Sequence, residues 1–220
     1  MKKIGFIFLF LSLSFCVFSQ KTYPDVVLET SEGNMVVKLY AETPLHSDNF
    51  LKLVKEGYYN GQLFHRVINK FMIQAGDPNT KNAKPNERLG SGGPDYTIPS
   101  EFNVNYYHKR GALAAARQPD NVNPMKESSG SQFYIVQGQI FEFSQLNAMV
   151  QQGMHVSFSD EQIEAYTSLG GSPHLDYEYT VFGELVYGFD VLDKIASKQT
   201  DKNSRPLEDV KIIKAYPLKK

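Results

Sequence analysis

Short runs of strand-like sequence recur along the chain, and their number restricts the fold more than any other feature. Residues 26–30 and 35–40 alternate apolar and polar side chains on either side of Ser31-Glu32-Gly33-Asn34, a pattern typical of a β-hairpin. Further strands are predicted at residues 63–68, 71–75, 111–116, 132–136, 180–184 and 210–215. Residues 63–75 form a second hairpin with its turn at Asn69-Lys70. The chain is therefore expected to be mainly β.

Two amphipathic helices are predicted between these strands. The first begins at Thr43, an N-cap residue followed by a first-turn proline, and ends at Gly57. The second places Phe189, Leu192 and Ile195 on one face. Many short strands with two helices favour a closed β-barrel capped by helices over a βαβ fold.

One segment departs from the strand pattern. Between residues 140 and 170 the spacing becomes helical, with Phe143, Leu146 and Val150 predicted on one face. A second helix starts at a capping box, in which a serine at 159 precedes a glutamine at 162. We interpret residues 140–170 as a helical hairpin inserted between two barrel strands.

The composition limits the function classes. Of the 220 residues 41% are hydrophobic, which is enough to bury a core, and the formal net charge is −1. No basic run indicates a nucleic-acid partner. Residues 78–99 read as a long surface loop, and its Gly90-Ser91-Gly92-Gly93 stretch lacks the lysine of a phosphate-binding P-loop.

The N-terminus is predicted to direct export. Two lysines precede an apolar run over residues 4–18, which is shorter than the roughly 20 residues of a membrane span. We interpret residues 1–19 as a signal peptide cleaved before Gln20, leaving residues 20–220 as one domain in the periplasm or outside the cell. Cys16 is the sole cysteine, and its lipid modification is the alternative.

Three sequence blocks occur in the order that they have in a known family. They are FHRVINKFMIQAGDP at residues 64–78, GALAAA at 111–116 followed by SGSQFYI at 129–135, and PHLD at 173–176 followed by YTVFG at 179–183. Over residues 26–215 the chain resembles the cyclophilin family of peptidyl-prolyl cis-trans isomerases. The resemblance implies an eight-stranded antiparallel barrel closed by two helices. Side chains fill the interior of a barrel of that size, so the substrate groove is expected on its outer surface.

The resemblance also implies the site. Arg66 would be the catalytic arginine, assisted by Gln74 and Gln132. The residues expected to bind substrate are Phe71, Met72, Ala116, Arg117, Tyr134, His174, Leu175 and Tyr179. A guanidinium suits the reaction because it stays charged and offers a rigid set of donors, while apolar side chains suit the proline ring. The expected partners are proline-containing polypeptides, and the protein is expected to be a monomer without a cofactor.

Four positions depart from the family pattern. His174 replaces a frequent tryptophan that binds the cyclic peptide cyclosporin, which predicts weak inhibition by that compound. Arg117 replaces asparagine, and its side chain is predicted to be available to acidic groups of the substrate. Tyr134 replaces phenylalanine, so its hydroxyl needs the pocket edge or a polar partner. Tyr179 replaces histidine, which removes a titratable group.

Other readings are possible from the residues alone. Phe71 and Met72 would point to opposite faces of a regular strand, which places one of them in the core. A protein that holds proline-containing segments without turnover is the alternative function. The histidine spacings lack the local pair of a metal hydrolase, and no Gly-x-Ser-x-Gly elbow of a serine hydrolase occurs.

Overall fold

The computed structural model describes residues 21–84, 87–154 and 157–219. The predicted signal peptide, its cleavage site and Cys16 lie outside these residues.

The described chain folds around one antiparallel sheet. Its strands are β1 (Val26–Thr30), β2 (Gly33–Leu39), β3 (Arg66–Ile68), β4 (Met72–Ala75), β5 (Thr97–Ile98), β6 (Ala112–Arg117), β7 (Ser128–Val136), β8 (Val181–Tyr187) and β9 (Ile212–Pro217). They are ordered β3-β4-β7-β6-β8-β2-β1-β9, and β5 pairs with β7. The fold is therefore mainly β, as the strand-like runs predicted.

Both predicted hairpins are confirmed. Strands β1 and β2 pair antiparallel, with Thr30 opposite Gly33. Strands β3 and β4 pair with Arg66 opposite Gln74, and the turn between them places Lys70 at a φ of 62°. This left-handed conformation reverses the chain within a few residues.

The sheet differs in detail from the predicted eight-stranded closed barrel. The ninth strand is β5, which has two residues and too little alternation to stand out in the sequence. The sheet curls into a half-barrel. Near its two outer strands, Leu63 forms an isolated bridge with Lys211.

Among the described residues four α-helices accompany the sheet, and the sequence predicted two helices and a helical hairpin. They are α1 (Pro44–Lys55), α2 (Phe143–Gln151), α3 (Asp160–Ser168) and α4 (Phe189–Ala196), and the segments Pro78–Asn82 and Pro173–Leu175 form single 3-10 turns. The capping box at the start of α3 is confirmed. On the predicted face of α2, Leu146 is buried, whereas Phe143 is 60% exposed.

The start of α1 is stabilised differently from the prediction. Thr43 occupies the N-cap position, yet its side chain makes no capping hydrogen bond. The carboxylate of Glu101 accepts hydrogen bonds from the backbone N–H groups of Leu45 and His46, at 3.0 Å each. A carboxylate at this end also complements the helix dipole.

The sheet is apolar on both faces where it carries the groove. Ile73 on β4, with Phe133 and Ile135 on β7, belongs to the main core, which α1 and α4 also enter. The alternate residues form a second cluster of Met72, Ala112, Ala114, Tyr134, Val136, Leu175 and Val181. Because side chains alternate along a strand, the same strands fill the core and line the outer groove.

Within the described ranges, no helix has both the length and the apolar character needed to cross a membrane.

Candidate active site

A cavity of about 420 Å³ lies over the second apolar cluster. Its lining includes Arg66, Phe71, Met72, Gln74, Ala116, Arg117, Tyr134, Leu175 and Tyr179. Strands β3, β4, β6 and β7 supply the first seven of these, directly or through the turn before β4, and the segment before β8 supplies the last two. The fold thus brings together nine of the eleven residues that the resemblance implied.

Arg66 lies at the rim of this cavity, opposite Gln74 on the neighbouring strand. Its Nη1 donates to Gln74 Oε1 at 3.1 Å, and its guanidinium carbon lies 5.9 Å from the centre of the Phe71 ring. Burial lowers the pKa of Arg66 from its usual value. An arginine remains charged despite such a shift, so the site holds a cation whose direction is fixed by one neighbour.

Gln132 is outside the cavity lining but holds Gln74 from behind. Gln74 Nε2 donates to Gln132 Oε1 at 3.0 Å. Gln132 Nε2 donates to the carbonyl oxygens of Gly90 and Gly92, at 3.1 Å and 2.7 Å. Arg66, Gln74 and Gln132 therefore form a continuous chain of hydrogen bonds that ends on the glycine-rich loop.

The glycine-rich loop is itself held by Asp77, which follows strand β4. Asp77 Oδ2 accepts a hydrogen bond from the Gly90 N–H at 2.6 Å. A Cβ atom at Gly92 would collide with Asp77 Oδ1, so this close approach requires glycine. The glycines serve the packing of the loop against Asp77 and Gln132.

One wall of the cavity is apolar. Met72 is 1% exposed and packs with Tyr134 and Leu175, and the partly buried Phe71 packs against the same cluster. The alternation expected of a regular strand does not apply to this pair, because Phe71 belongs to the turn and only Met72 to the strand. Both side chains line the cavity.

The hydroxyl of Tyr134 points away from the cavity to a buried partner. It lies 2.9 Å from Nε2 of His108, whose Nδ1 lies 2.9 Å from Oδ1 of Asp176. Burial raises the pKa of Tyr134 well above its usual value, so the phenol stays protonated. The sequence prediction that this hydroxyl finds a polar partner is confirmed.

The Arg117 side chain is not available to acidic groups of a substrate, contrary to the prediction. Its Nε donates to the Glu178 carbonyl oxygen at 2.7 Å, and its Nη2 donates to the Glu178 carboxylate at 3.0 Å. Its Nη1 pairs with Asp120, and its guanidinium carbon lies 4.6 Å from the Tyr179 ring centre. Internal partners therefore occupy the guanidinium, and the residue borders the cavity without offering it an unpaired charge.

His174 lies beside the cavity and is absent from its lining. Its ring packs against Phe71, with ring centroids 5.5 Å apart. Burial lowers the pKa of His174, and the nearby His108 lowers it further. At neutral pH the ring is a neutral support for Phe71.

Sequence reasoning missed the rest of the cavity lining. These residues are His65, Glu87, Arg88, Leu89, Gly90, Asn203 and Arg205. Neither ring nitrogen of His65 has a hydrogen-bond partner among the described residues, and burial lowers its pKa to about 4. The histidine next to Arg66 was the one available signal. Residues 203–205 come close through tertiary contacts such as the hydrogen bond from the Val67 N–H to the Ser204 carbonyl oxygen.

A second histidine network lies away from the groove. His46 Nδ1 is 2.6 Å from Glu101 Oε2, and His46 Nε2 is 2.8 Å from Ser128 Oγ. The arrangement has the partners of a serine hydrolase triad. Ser128 is buried, however, and the cavity that His46 lines has a volume of about 10 Å³, which leaves no room for a substrate. This network stabilises the start of α1.

Over the described ranges, no three histidine, cysteine or carboxylate side chains converge as metal ligands would.

Comparison with known proteins identifies the family. A family model described as cyclophilin type peptidyl-prolyl cis-trans isomerase/CLD matches residues 25–216. The chain belongs to this family. Peptidyl-prolyl cis-trans isomerisation is therefore its activity. The cyclophilin match covers every residue of the groove.

Bacterial relatives are similar over most of this cyclophilin. A Staphylococcus aureus (strain USA300) protein, named as a peptidyl-prolyl cis-trans isomerase, is 37% identical over 188 residues, which cover 85% of this chain and 88% of the relative. A Streptococcus pyogenes serotype M6 protein, named as a bifunctional phosphatase/peptidyl-prolyl cis-trans isomerase, is 38% identical over 192 residues. That match covers 86% of this chain and 37% of the streptococcal protein.

A solved cyclophilin has the same fold. The crystal structure of a Cryptosporidium parvum cyclophilin-type isomerase, determined in the presence of the dipeptide Ala-Pro, superposes with a TM-score of 0.62. It is 24% identical in sequence and covers 89% of this chain and 99% of its own. At this sequence identity the comparison supports the fold alone.

Proposed function

We propose that this cyclophilin accelerates rotation about Xaa-Pro bonds of polypeptides outside the cytoplasm, with Arg66 as the catalytic residue. One observation carries the assignment. Arg66 is held by Gln74 at the rim of a cavity that also has an apolar wall. A fixed cation near an apolar wall suits a proline ring next to a peptide bond that must lose its resonance.

The reaction needs neither a nucleophile nor a base. Rotation about a peptide bond faces a barrier of about 18–20 kcal/mol because the C–N bond has partial double-bond character. For an Xaa-Pro bond the uncatalysed exchange takes tens to hundreds of seconds. A donor that stabilises the pyramidal prolyl nitrogen, or holds the carbonyl while its neighbour rotates, lowers the barrier. Arg66 has such donors left after one of them has bonded to Gln74.

The apolar wall holds the proline ring during the rotation. Phe71, Met72 and Leu175 would contact its methylene groups, and Met72 adapts easily in shape. Tyr134 would form the floor. Gln74 orients Arg66, and Gln132 orients Gln74. Ala116, Arg117 and Tyr179 would border the substrate backbone.

The energy must be shared among these contacts. A millionfold acceleration would require about 8 kcal/mol of transition-state stabilisation. One hydrogen bond from a charged group contributes about 1.5–3 kcal/mol. Positioning of the ring and the electrostatic effect of the site must therefore supply the remainder.

NMR exchange spectroscopy on a short Ala-Pro peptide tests the proposal, because it detects exchange without a coupled protease. The wild-type protein would be compared with Arg66→Ala at equal concentration. Arg110→Ala is the matched control, since Arg110 pairs with Asp193 away from the groove. We expect fast exchange with wild type and control, and a rate at least about tenfold lower with Arg66→Ala.

Two outcomes would contradict the proposal. If Arg66→Ala keeps most of the activity, then Arg66 does not stabilise the rotating bond. If the wild-type protein binds the peptide without accelerating exchange, then the groove belongs to a module that holds proline-containing segments.

We propose further that the protein is exported. The support is the sequence of residues 1–19, with two lysines before a short apolar run. Mass spectrometry of the exported protein should find a mature chain that begins at Gln20. A lipid on Cys16 would instead place the protein on a membrane surface.

The clients of an exported isomerase would be extracytoplasmic proteins, at prolines in unfolded segments or loops.

We propose also that residues 20–220 form one monomeric domain whose sheet closes into a barrel. The bridge between Leu63 and Lys211, and the hydrogen bond from the Phe64 N–H to the Val210 carbonyl oxygen at 2.9 Å, support closure. Residues 140–170, which contain α2 and α3, would be an insertion in this domain. Light scattering should give the mass of a single chain.

A further inference from the structure

Four buried side chains connect the floor of the groove to helix α3. The Tyr134 hydroxyl lies 2.9 Å from His108 Nε2, and His108 Nδ1 lies 2.9 Å from Asp176 Oδ1. The Tyr166 hydroxyl donates to Asp176 Oδ2 at 2.6 Å. These residues, which we call the floor relay, come from β7, the segment before β6, the segment before β8, and α3.

The partners determine where the protons lie. An ionised carboxylate only accepts hydrogen bonds, so Nδ1 of His108 carries the proton that it donates to Asp176. In a neutral imidazole Nε2 then accepts, and the Tyr134 hydroxyl donates to it. The His108 backbone N–H also donates to Asp176 Oδ1, at 2.8 Å. Each residue of the floor relay is thus held by the next one along the chain.

Because these hydrogen bonds are buried, the loss of any one of them is costly in free energy. All four side chains are at most 5% exposed, so water cannot replace a missing partner. A buried polar group left without a partner loses its solvation and gains nothing in return. The floor relay is therefore expected to keep one geometry.

Contacts between aromatic rings connect the floor relay to the groove. The His108 and Tyr134 rings stack with centroids 6.0 Å apart, and the Tyr134 and Tyr179 rings meet edge to face at the same distance. Tyr134 and Tyr179 both line the cavity. A change in the position of Tyr134 would therefore alter two lining surfaces at once.

We propose that His108, Asp176 and Tyr166 are positioning residues that fix the Tyr134 ring as the floor of the proline pocket, so that helix α3 takes part in substrate binding. This inference deepens the proposed function and rests on it. None of the three positioning residues lines the cavity. They reach the cavity through the contacts of the His108 ring with Tyr134 and Tyr179.

This arrangement predicts an effect on binding more than on turnover. The floor contacts the proline ring in the ground state and in the transition state alike, because the ring is held while the bond rotates. Loss of such uniform binding raises KM and leaves kcat nearly unchanged.

The test uses Tyr166→Phe, which removes one hydroxyl and keeps the ring in place. Tyr107→Phe is the matched control, since the Tyr107 ring also packs against Tyr166, with centroids 5.7 Å apart, while its hydroxyl meets the Glu161 carbonyl oxygen at 3.4 Å. We expect Tyr166→Phe to raise KM for an Ala-Pro peptide by about three- to tenfold with kcat within about twofold of wild type. Tyr107→Phe should leave both unchanged. A lower melting temperature of Tyr166→Phe with wild-type KM would overturn the proposal.

A double variant tests whether the effect passes through Tyr134. In a Tyr134→Phe background the hydroxyl that bonds to His108 is absent. Adding Tyr166→Phe should then change KM by less than about twofold. If the two substitutions instead multiply in their effects on KM, then Tyr166 acts on the pocket by another route and the proposal is wrong.

A readout without turnover separates this inference from the proposed function. With ¹³C-labelled tyrosine, NMR reports how fast the Tyr134 ring flips, whether or not the protein catalyses exchange. We expect faster flips in Tyr166→Phe than in wild type or Tyr107→Phe. Unchanged flips in an active enzyme would overturn the floor relay alone. If the wild-type protein had no isomerase activity but the Tyr134 ring still flipped faster in Tyr166→Phe, the proposed function would be refuted and the floor relay would stand.

Discussion

The side-chain amide of Gln74 joins Gln132 to Arg66, because it donates to Gln132 at 3.0 Å and accepts from Arg66 at 3.1 Å. The orientation of the cation thus depends on a residue that does not itself line the cavity. At the other end of this series of hydrogen bonds, Gln132 donates to the carbonyl oxygens of Gly90 and Gly92.

Replacing Gln132 by alanine should therefore weaken catalysis from a distance. The substitution leaves Gln74 with one neighbour and releases two glycine carbonyl groups, so we expect kcat to fall about three- to thirtyfold. NMR exchange with an Ala-Pro peptide measures it. Gln139→Ala, which lies outside the groove, is the control. An unchanged kcat would mean that Gln74 alone orients Arg66.

His174→Trp should increase the affinity for cyclosporin. The ring at this position packs against Phe71 at the edge of the groove, with centroids 5.5 Å apart. A larger aromatic ring with an N–H donor can cover more of an apolar cyclic peptide. We expect Kd to fall at least about tenfold by isothermal calorimetry, with peptide turnover changed less than about threefold. Equal affinities would show that another residue causes the weak inhibition.

The stability of the protein should decrease below pH 6.5 because of His65. Burial lowers the pKa of His65 from 6.5 to about 4, so the unfolded chain takes up the proton first as pH falls. The contribution of neutral His65 to the free energy of unfolding is present above pH 6.5 and is lost as the pH falls from 6.5 to 4. We expect the free energy of unfolding to drop by about 2 kcal/mol between pH 7 and pH 5 from this group.

Urea unfolding of His65→Gln at both pH values isolates this contribution. The variant should lose less free energy of unfolding than wild type over the same interval, whatever its stability at pH 7. His174→Gln, whose histidine pKa is lowered too, gives the comparison for a less buried ring. Equal pH dependence in wild type and His65→Gln would show that the proton binds elsewhere.

Glu101→Gln should destabilise the fold without changing catalysis. Burial alone would raise the pKa of Glu101, but hydrogen bonds from the His46 ring and from the N–H groups of Leu45 and His46 lower it below its usual value. The substitution removes the charge that these donors face, and we expect a loss of about 1–3 kcal/mol in the free energy of unfolding. Glu208→Gln, at an exposed position, is the control for urea unfolding. A loss no larger than that of the control would contradict the assigned role.

Local pattern predicted the elements whose partners are close in sequence. The β1–β2 and β3–β4 hairpins and the capping box of α3 all depend on residues within a few positions of one another. Phe143 shows the limit of helical spacing. The face it shares with Leu146 is only partly covered, and spacing alone cannot tell how much of a face is buried.

Contacts between residues far apart in sequence were not predictable in the same way. His46 and Glu101 are 55 residues apart, and His108 and Asp176 are 68 apart, so no spacing rule connects them. The groove residues could be named only because three blocks resembled a family. The resemblance covered the side chains that face the groove, while the bonds that hold them from behind arise from tertiary packing.

Strand β1 takes its second partner from the far end of the chain, where Val26 pairs with Pro217. At a synthesis rate of about 5–20 residues per second, the ribosome completes β9 roughly 10 to 40 s after β1. During that interval one side of β1 remains an open sheet edge, which can pair with other chains. A truncated product that lacks β9 would keep this edge permanently, and we expect it to aggregate or be degraded even though every groove residue is present.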